Sequence, residues 1–470
     1  MSDELCFASA RQLAAQTRQG DVPCTEVMET FLARIDRVNP QINAICTLVP
    51  DQAMEGAIAA DAVPKEARGK LHGLPIAVKD LAETKGIRTT WGSPLFENHV
   101  PTYDQLFVER LKQASAIIIG KTNTPEFGAG SQSFNPIFGA SCNPYDVTKT
   151  VGGSSGGAAG ALAARLVPLA DGSDLGGSLR NPAAFCNVVG FRPTPGRVPT
   201  FPDRMGWNTL STMGPMARTV DDVALLLSVM AGPDDRCPIS LEDAGDGFDV
   251  PLVRDWTGVR IAWSPDLGVC EVAPEIVSVC ETSLTVFRDL GGTVEADCPD
   301  FSDGADIFQT LRAWMFAAGF GDAYAHARDK LKDTIIWNIE RGLALSAVDI
   351  GKAEVARTNL YQRMLTFFDT HDFLVVPTTQ VAPFDVNTPW VTDINGVPQE
   401  TYLDWMMICS IITLTGCPAI SVPAGFTKDG LPVGMQIIGP PRKDLEVLQM
   451  AHAFEGATGH WRRGPDLKAA

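Results

Sequence analysis

The chain is short of positive charge for its size. Its 470 residues include 38 Lys and Arg against 56 Asp and Glu, a formal net charge of −18. Phosphate backbones are bound by clustered basic side chains, so this balance argues against nucleic acid as a partner. Long apolar runs are missing too. The most apolar stretch, residues 406–414, falls far short of the ~20 residues that cross a bilayer, so no membrane segment is expected. The opening MSDELCFASARQL has no basic region followed by an apolar one and does not read as a signal peptide. Paired cysteine spacings are absent. The 11 cysteines form no CxxC and follow no regular period. That pattern predicts reduced, buried thiols and a cytoplasmic location rather than a disulfide framework. Histidine is scarce: the chain has six, and none has an evident catalytic setting.

Against these absences stands one stretch rich in glycine and serine. Residues 150–180 read TVGGSSGGAAGALAARLVPLADGSDLGGSLR and hold two glycine-flanked serines, Ser154 and Ser178. Glycines on either side of a serine let the backbone turn sharply and approach a substrate closely. Amides freed in such a turn can stabilise a developing negative oxygen. Upstream, the apolar run 74–78 leads straight into Lys79. A lysine at the end of a buried strand is costly, because its charge must leave water.

Together these residues resemble the amidase signature family. The spacings agree with it: 178 − 154 = 24 residues between the serines and 178 − 79 = 99 from lysine to the second serine. The similarity continues through residues 181–199 and 213–222 and into CPAISVPAG and GLPVGMQIIGP near the C-terminus. The resemblance implies that Ser178 is the nucleophile, Ser154 a bridging serine and Lys79 the base. It implies an oxyanion hole from the backbone N–H groups of Leu175, Gly176, Gly177 and Ser178. Gly128, in the FGAGS loop, would lie nearest the substrate. Ser154 would be held by a cis peptide after Gly153, and Asp174 and Arg180 would pair to support the loop. Leu175 replaces the threonine or isoleucine common there, which leaves the backbone donor in place and alters the pocket wall.

A lysine base must be neutral. A free lysine is neutral about once in a few thousand at pH 7, so burial has to lower its pKa by about 3 units, about 4 kcal/mol. The scheme needs no metal and no organic cofactor. The implied activity is hydrolysis of amides, with esters and carbamates as related small-molecule substrates. A glutamine-hydrolysing subunit of a tRNA-dependent amidotransferase is the alternative within the family. A catalytically dead binding protein is disfavoured by the intact Lys79, Ser154 and Ser178. Outside the family, Gly152-x-Ser154-x-Gly156 matches the nucleophile elbow of α/β-hydrolases, with His371 or His452 as nominal base. That reading leaves Ser178 and Lys79 without a role. Gly120-Lys121-Thr122 resembles the end of a phosphate-binding loop, but Ser115 stands where its first glycine belongs and strand-forming residues fill the interval.

The family's fold is an α/β/α sandwich around a large mixed sheet. The expectation is therefore one domain over 1–470, with a catalytic core at about 70–225 and substrate-pocket helices at about 305–370. The local pattern agrees with an α/β chain. Ser9 and Gln12 form a capping box. A helix over 25–38 is stopped by Asn39-Pro40, and strands are expected at 74–78, 116–119, 259–263, 293–295, 373–376, 419–422 and 434–438. Helices are expected at 276–290 and 445–455, and a polar linker at 232–249. Aromatics in 306–368 read as helix packing, with Trp314, Phe316 or Trp337 as candidates for a pocket wall. Apolar and aromatic residues outnumber charged ones there, which favours neutral substrates. Oligomeric state stays open, a homodimer being one arrangement.

Overall fold

The computed structural model describes residues 4–467, so the first three residues of the N-terminal stretch lie outside it. Eleven strands form one mixed sheet. In chain order they are β1 (Ile45–Leu48), β2 (Pro75–Lys79), β3 (Ile117–Thr122), β4 (Leu169–Asp174), β5 (Val189–Arg192) and β6 (Thr212–Ala217). Then follow β7 (Arg260–Trp263), β8 (Thr293–Ala296), β9 (Phe373–Pro377), β10 (Ala419–Phe426) and β11 (Pro432–Ile438). Their order across the sheet is β1-β3-β2-β4-β6-β5-β10-β11-β9-β7-β8. β2 runs parallel to β3 and β4, and β7 runs parallel to β8 and β9. Antiparallel pairs join these two parallel patches through the middle.

Successive side chains of a strand point to opposite faces. Accordingly Ile76, Val78, Ile118 and Leu169 enter one apolar cluster, and Ala77, Ile119 and Ala170 enter another. The first face is covered by helices Ala10–Gln19 and Val220–Met230, the second by Pro50–Asp61 and Gly156–Ala163. Cover on both faces is why these strands read as continuous apolar runs rather than alternating ones. The result is the expected α/β architecture around a large mixed sheet. A smaller apolar cluster lies apart. In it Phe127 and Ala129 meet Phe316, Leu331, Ile335 and Ile339, from helices Gly304–Ala327 and Asp333–Leu343 and the turn between them.

Most local expectations hold, including the Ser9–Gln12 capping box. Three differ. The helix that Asn39-Pro40 was expected to stop runs from Cys24 to Ile42. Pro40 falls in its exposed last turn, where one lost amide costs little, and Asn39 Oδ1 accepts the Ala44 and Ile45 amides beyond the end. The 276–290 helix is two, Pro274–Ser283 and Thr285–Asp289, meeting at Leu284. The stretch 232–249 is no free linker, since Phe248 is only 5% exposed and joins the main core. β3 carries Gly120, Lys121 and Thr122 inside the sheet, which excludes a phosphate-cradling loop at that point. Among the described residues, no helix is long and apolar enough to cross a membrane. Among the described residues no disulfide forms, and eight of the 11 cysteines are buried.

Candidate active site

β2 ends on Lys79, whose side chain is wholly buried. Its parallel pairing with β4 (Ile76 opposite Leu169, Ala77 opposite Ala170) brings the far end of β4 alongside it. Lys79 Nζ there meets three serine hydroxyls, Ser154 Oγ at 2.8 Å, Ser155 Oγ at 2.9 Å and Ser173 Oγ at 3.0 Å. Burial drives the lysine pKa down to about 7, and the carboxylates of Asp171 and Asp174 resist that fall. As an ammonium, Lys79 donates to all three hydroxyls. As a neutral amine it has a lone pair and must accept from one of them. Ser155 is poorly placed to give that proton, because its Oγ donates to the Ser173 carbonyl (3.4 Å) and accepts the Ser173 amide (3.3 Å). For Ser154 Oγ, Lys79 Nζ is the sole hydrogen-bond partner among the described residues.

The turn before helix Gly156–Ala163 carries Ser154, and its Gly153–Ser154 peptide is cis, as the resemblance implied. The loop after Phe127 clamps it. Ser131 Oγ donates to the Gly153 carbonyl (2.8 Å), Ser133 Oγ donates to the Ser154 carbonyl (3.4 Å), and Asn181 Nδ2 donates to Ser131 Oγ (2.8 Å). Gly128 has a left-handed φ of +70°, and a Cβ there would stand 3.4 Å from Ser154 Oγ and 3.0 Å from Leu81 Cδ1. A side chain at that position would crowd Ser154.

Ser178 lies in the loop between β4 and the short helix Arg180–Phe185. Asp174 shapes that loop. Its carboxylate, fully buried, accepts the amides of Gly177 (2.8 Å) and Leu179 (3.2 Å) and pairs with Arg180 Nη2 at 3.0 Å and Arg192 Nη1 at 3.3 Å. Those two guanidiniums hold the Asp174 carboxyl far below the usual carboxylate range against the pull of burial. The two expected supporting residues therefore do meet, in the core rather than on the surface. Of the four amides expected to form an oxyanion hole, one is engaged elsewhere. The Gly177 amide is already given to Asp174, while Leu175, Gly176 and Ser178 amides have no hydrogen bond to a described residue. Gly177 serves the turn instead, with φ +108°.

Ser154, Ser173 and Ser178 share one cavity of about 120 Å³, which Gly128, Leu175 and Gly176 also line. Of the three aromatic wall candidates, Phe316 lines it. Trp314 and Trp337 pack half-buried against the main core. No histidine lines the cavity. Neither His371, which stacks on Phe367 (4.6 Å between centroids), nor His452 lines it, which leaves the nucleophile-elbow reading without its base there. Sequence reasoning missed Ser155 and Ser173, the other two hydroxyls on Lys79, and Arg312, the charged residue of the cavity wall. The adjacent serine in GGSSGG hinted at the first. Nothing in the apolar helix around Arg312 marked the last.

Similarity to known proteins spans the whole of this assembly. A family model described as Amidase matches residues 26–448. An acylamidase of Rhodococcus erythropolis is 36% identical over 459 residues, covering 96% of this chain and 95% of its own. A glutamyl-tRNA(Gln) amidotransferase subunit of a Picosynechococcus species is 34% identical over 492 residues, covering 97% and 98%. Among solved structures, a bacterial aryl acylamidase of the amidase signature family superposes with a TM-score of 0.90 at 30% identity, covering 97% of this chain and 98% of that one.

Proposed function

The chain belongs to the amidase signature family of amide C–N hydrolases, and on that premise we propose that it is a free-standing amidase working through an acyl-enzyme on Ser178. The observation that carries this reading is the contact of Lys79 Nζ with Ser154 Oγ at 2.8 Å, beside a cavity that Ser154 and Ser178 share. A serine hydroxyl is a weak nucleophile and needs a base. Lys79, brought down to about 7 by burial, is in large part neutral at physiological pH and can take a proton. It takes the Ser154 proton while Ser154 takes that of Ser178, and Ser178 Oγ attacks the amide carbonyl. The oxyanion forms against the free amides of Leu175, Gly176 and Ser178. The proton returns through Ser154 to the leaving amine, and water then releases the acyl group by the same relay run in reverse. Aryl esters and carbamates present the same carbonyl with other leaving groups and fall within the proposed range.

The reading is tested by initial rates on an aliphatic amide, an anilide, an aryl ester, an aryl carbamate and glutamine, with wild type and Ser178→Ala side by side. Turnover of the anilide should vanish in the variant, by on the order of 10³-fold or more, with an unchanged circular dichroism spectrum. Retained turnover would remove Ser178 as nucleophile. The likeness to the glutamyl-tRNA(Gln) amidotransferase protein favours a second reading, in which glutamine is the substrate and partner subunits take the ammonia. Turnover of glutamine alone, or of nothing until another protein is added, would favour it.

A further inference from the structure

Resting on amide hydrolysis as proposed, we infer that the preferred substrates carry a carboxylate group and that Arg312 receives it. Arg312 projects from the inner face of helix Gly304–Ala327 and lines the cavity that holds Ser154 and Ser178. One turn earlier on the same helix, Phe308 packs where a Cβ on Gly176 would stand, 2.9 Å from its Cζ. The helix is thus seated directly on the nucleophile loop, and Arg312 is fixed relative to it.

Arg312 is 4% exposed as a residue, and its guanidinium forms no ion pair among the described residues. One edge is anchored: Nε and Nη2 donate to Tyr402 Oη at 3.3 and 2.9 Å, and Asn338 Nδ2 donates to the same oxygen at 2.5 Å. Its Cζ lies over the Phe316 ring, 4.5 Å from the centroid. Nη1 has no hydrogen bond to any described residue. A buried charge without a partner is costly, and a planar guanidinium with a free edge matches a carboxylate in two hydrogen bonds.

The surroundings have the same sign. No Asp or Glu lines this cavity or the adjoining pocket, which Tyr402 also borders. The one other charged side chain lining either is Lys332, whose Nζ lies 4.2 Å over Phe134. In a chain with a net charge of −18 this is a local reversal, placed within a small ligand's length of Ser178. It runs against the preference for neutral substrates drawn from composition.

The test uses two pairs of matched compounds. Glutaranilic acid and its terminal carboxamide differ in charge on the acyl side, and 4-acetamidobenzoate and 4-acetamidobenzamide differ on the amine side. Binding to the full-length Ser178→Ala protein is measured by calorimetry, so no turnover intervenes. For at least one pair the acid should bind about tenfold or more tighter than its carboxamide, and the pair that does so identifies the side facing Arg312. Adding Arg312→Gln should erase that preference, and Arg312→Lys should keep part of it. Equal affinity within both pairs would overturn the inference without any Arg312 variant having to fold. So would a preference that survives Arg312→Gln. Hydrolysis by wild type is scored separately. A protein that binds the acid in this way yet cleaves no amide would count against the proposed function and leave the anion site standing.

Discussion

Two lysines stand side by side in the sheet and have different surroundings. Lys79 closes β2, and Lys121 on β3 is paired with its neighbour Val78. Both side chains are wholly buried, and burial lowers both pKa values, to about 7 for Lys79 and about 8 for Lys121. The carboxylate of Asp171 acts on both. What differs is the set of atoms each ammonium meets. Lys121 Nζ donates to the Ala82 carbonyl (2.5 Å), Thr84 Oγ1 (2.9 Å) and Thr89 Oγ1 (3.1 Å), a closed set that ties the segment after β2 to the sheet. Lys79 meets three serines, two of which, Ser154 and Ser173, open onto the cavity. Desolvation makes a lysine able to lose its proton, and the neighbours decide whether that ability reaches a substrate.

Breaking the Lys79 side should have the larger effect on chemistry. Lys79→Met should lower kcat on the anilide by on the order of 10²- to 10⁴-fold. Wild-type kcat/KM should rise from pH 5 to pH 8 with a midpoint near 7, because the protonated amine below that value cannot accept the Ser154 proton. A flat profile would remove Lys79 as base. Its stability carries the opposite sign to its usefulness. A lysine whose folded pKa is depressed binds fewer protons folded than unfolded, so its destabilising effect is full below about 7 and fades as pH climbs toward the ordinary lysine value. The melting temperature of Lys79→Met relative to wild type should therefore fall as pH rises from 7 to 10. A difference independent of pH would mean that Lys79 is not depressed.

Breaking the Lys121 side should cost folding instead. Lys121→Met takes the buried donor away from the Ala82 carbonyl and the Thr84 and Thr89 hydroxyls, and a buried polar group left unsatisfied costs about 1–3 kcal/mol. Urea denaturation should report that loss, while kcat per folded molecule stays within several-fold. The reverse result, a stable protein without activity, would erase the distinction between the two lysines.

How much of this could be read in the sequence follows the same division. Strands with both faces covered are continuous apolar runs, so β2, β3, β9 and β10 were legible, and Lys79 at the end of one with them. Ser154 and Ser178 were legible because glycine flanks a serine where the backbone must turn tightly. The remaining hydroxyls around Lys79 were not, since Ser173 comes from 94 residues away through the pairing of β2 with β4. The use of the Gly177 amide by Asp174 is a matter of loop geometry that composition does not encode. Pro40 misled for a local reason, because a proline in an exposed last turn removes one hydrogen bond and leaves the helix otherwise intact. Arg312 went unmarked for a distant one: among apolar helix residues nothing shows its setting until Tyr402, 90 residues away, supplies its anchor.

The finest test of the contrast lies in Ser155, which no spacing rule singled out. Its Oγ accepts from Lys79 at 2.9 Å while its own proton goes to the Ser173 carbonyl, so it favours the charged form of the lysine and does not carry the relay. Ser155→Ala should therefore lower the lysine pKa further and move the midpoint of the kcat/KM profile acidward by about 0.5–1 pH unit, equivalent to about 1 kcal/mol. The plateau above the midpoint should fall by no more than about tenfold, as expected for a positioning group. An alkaline shift would mean that Ser155 stabilises the neutral amine, and a loss as large as that of Lys79→Met would make Ser155, rather than Ser154, the serine that hands its proton to the base.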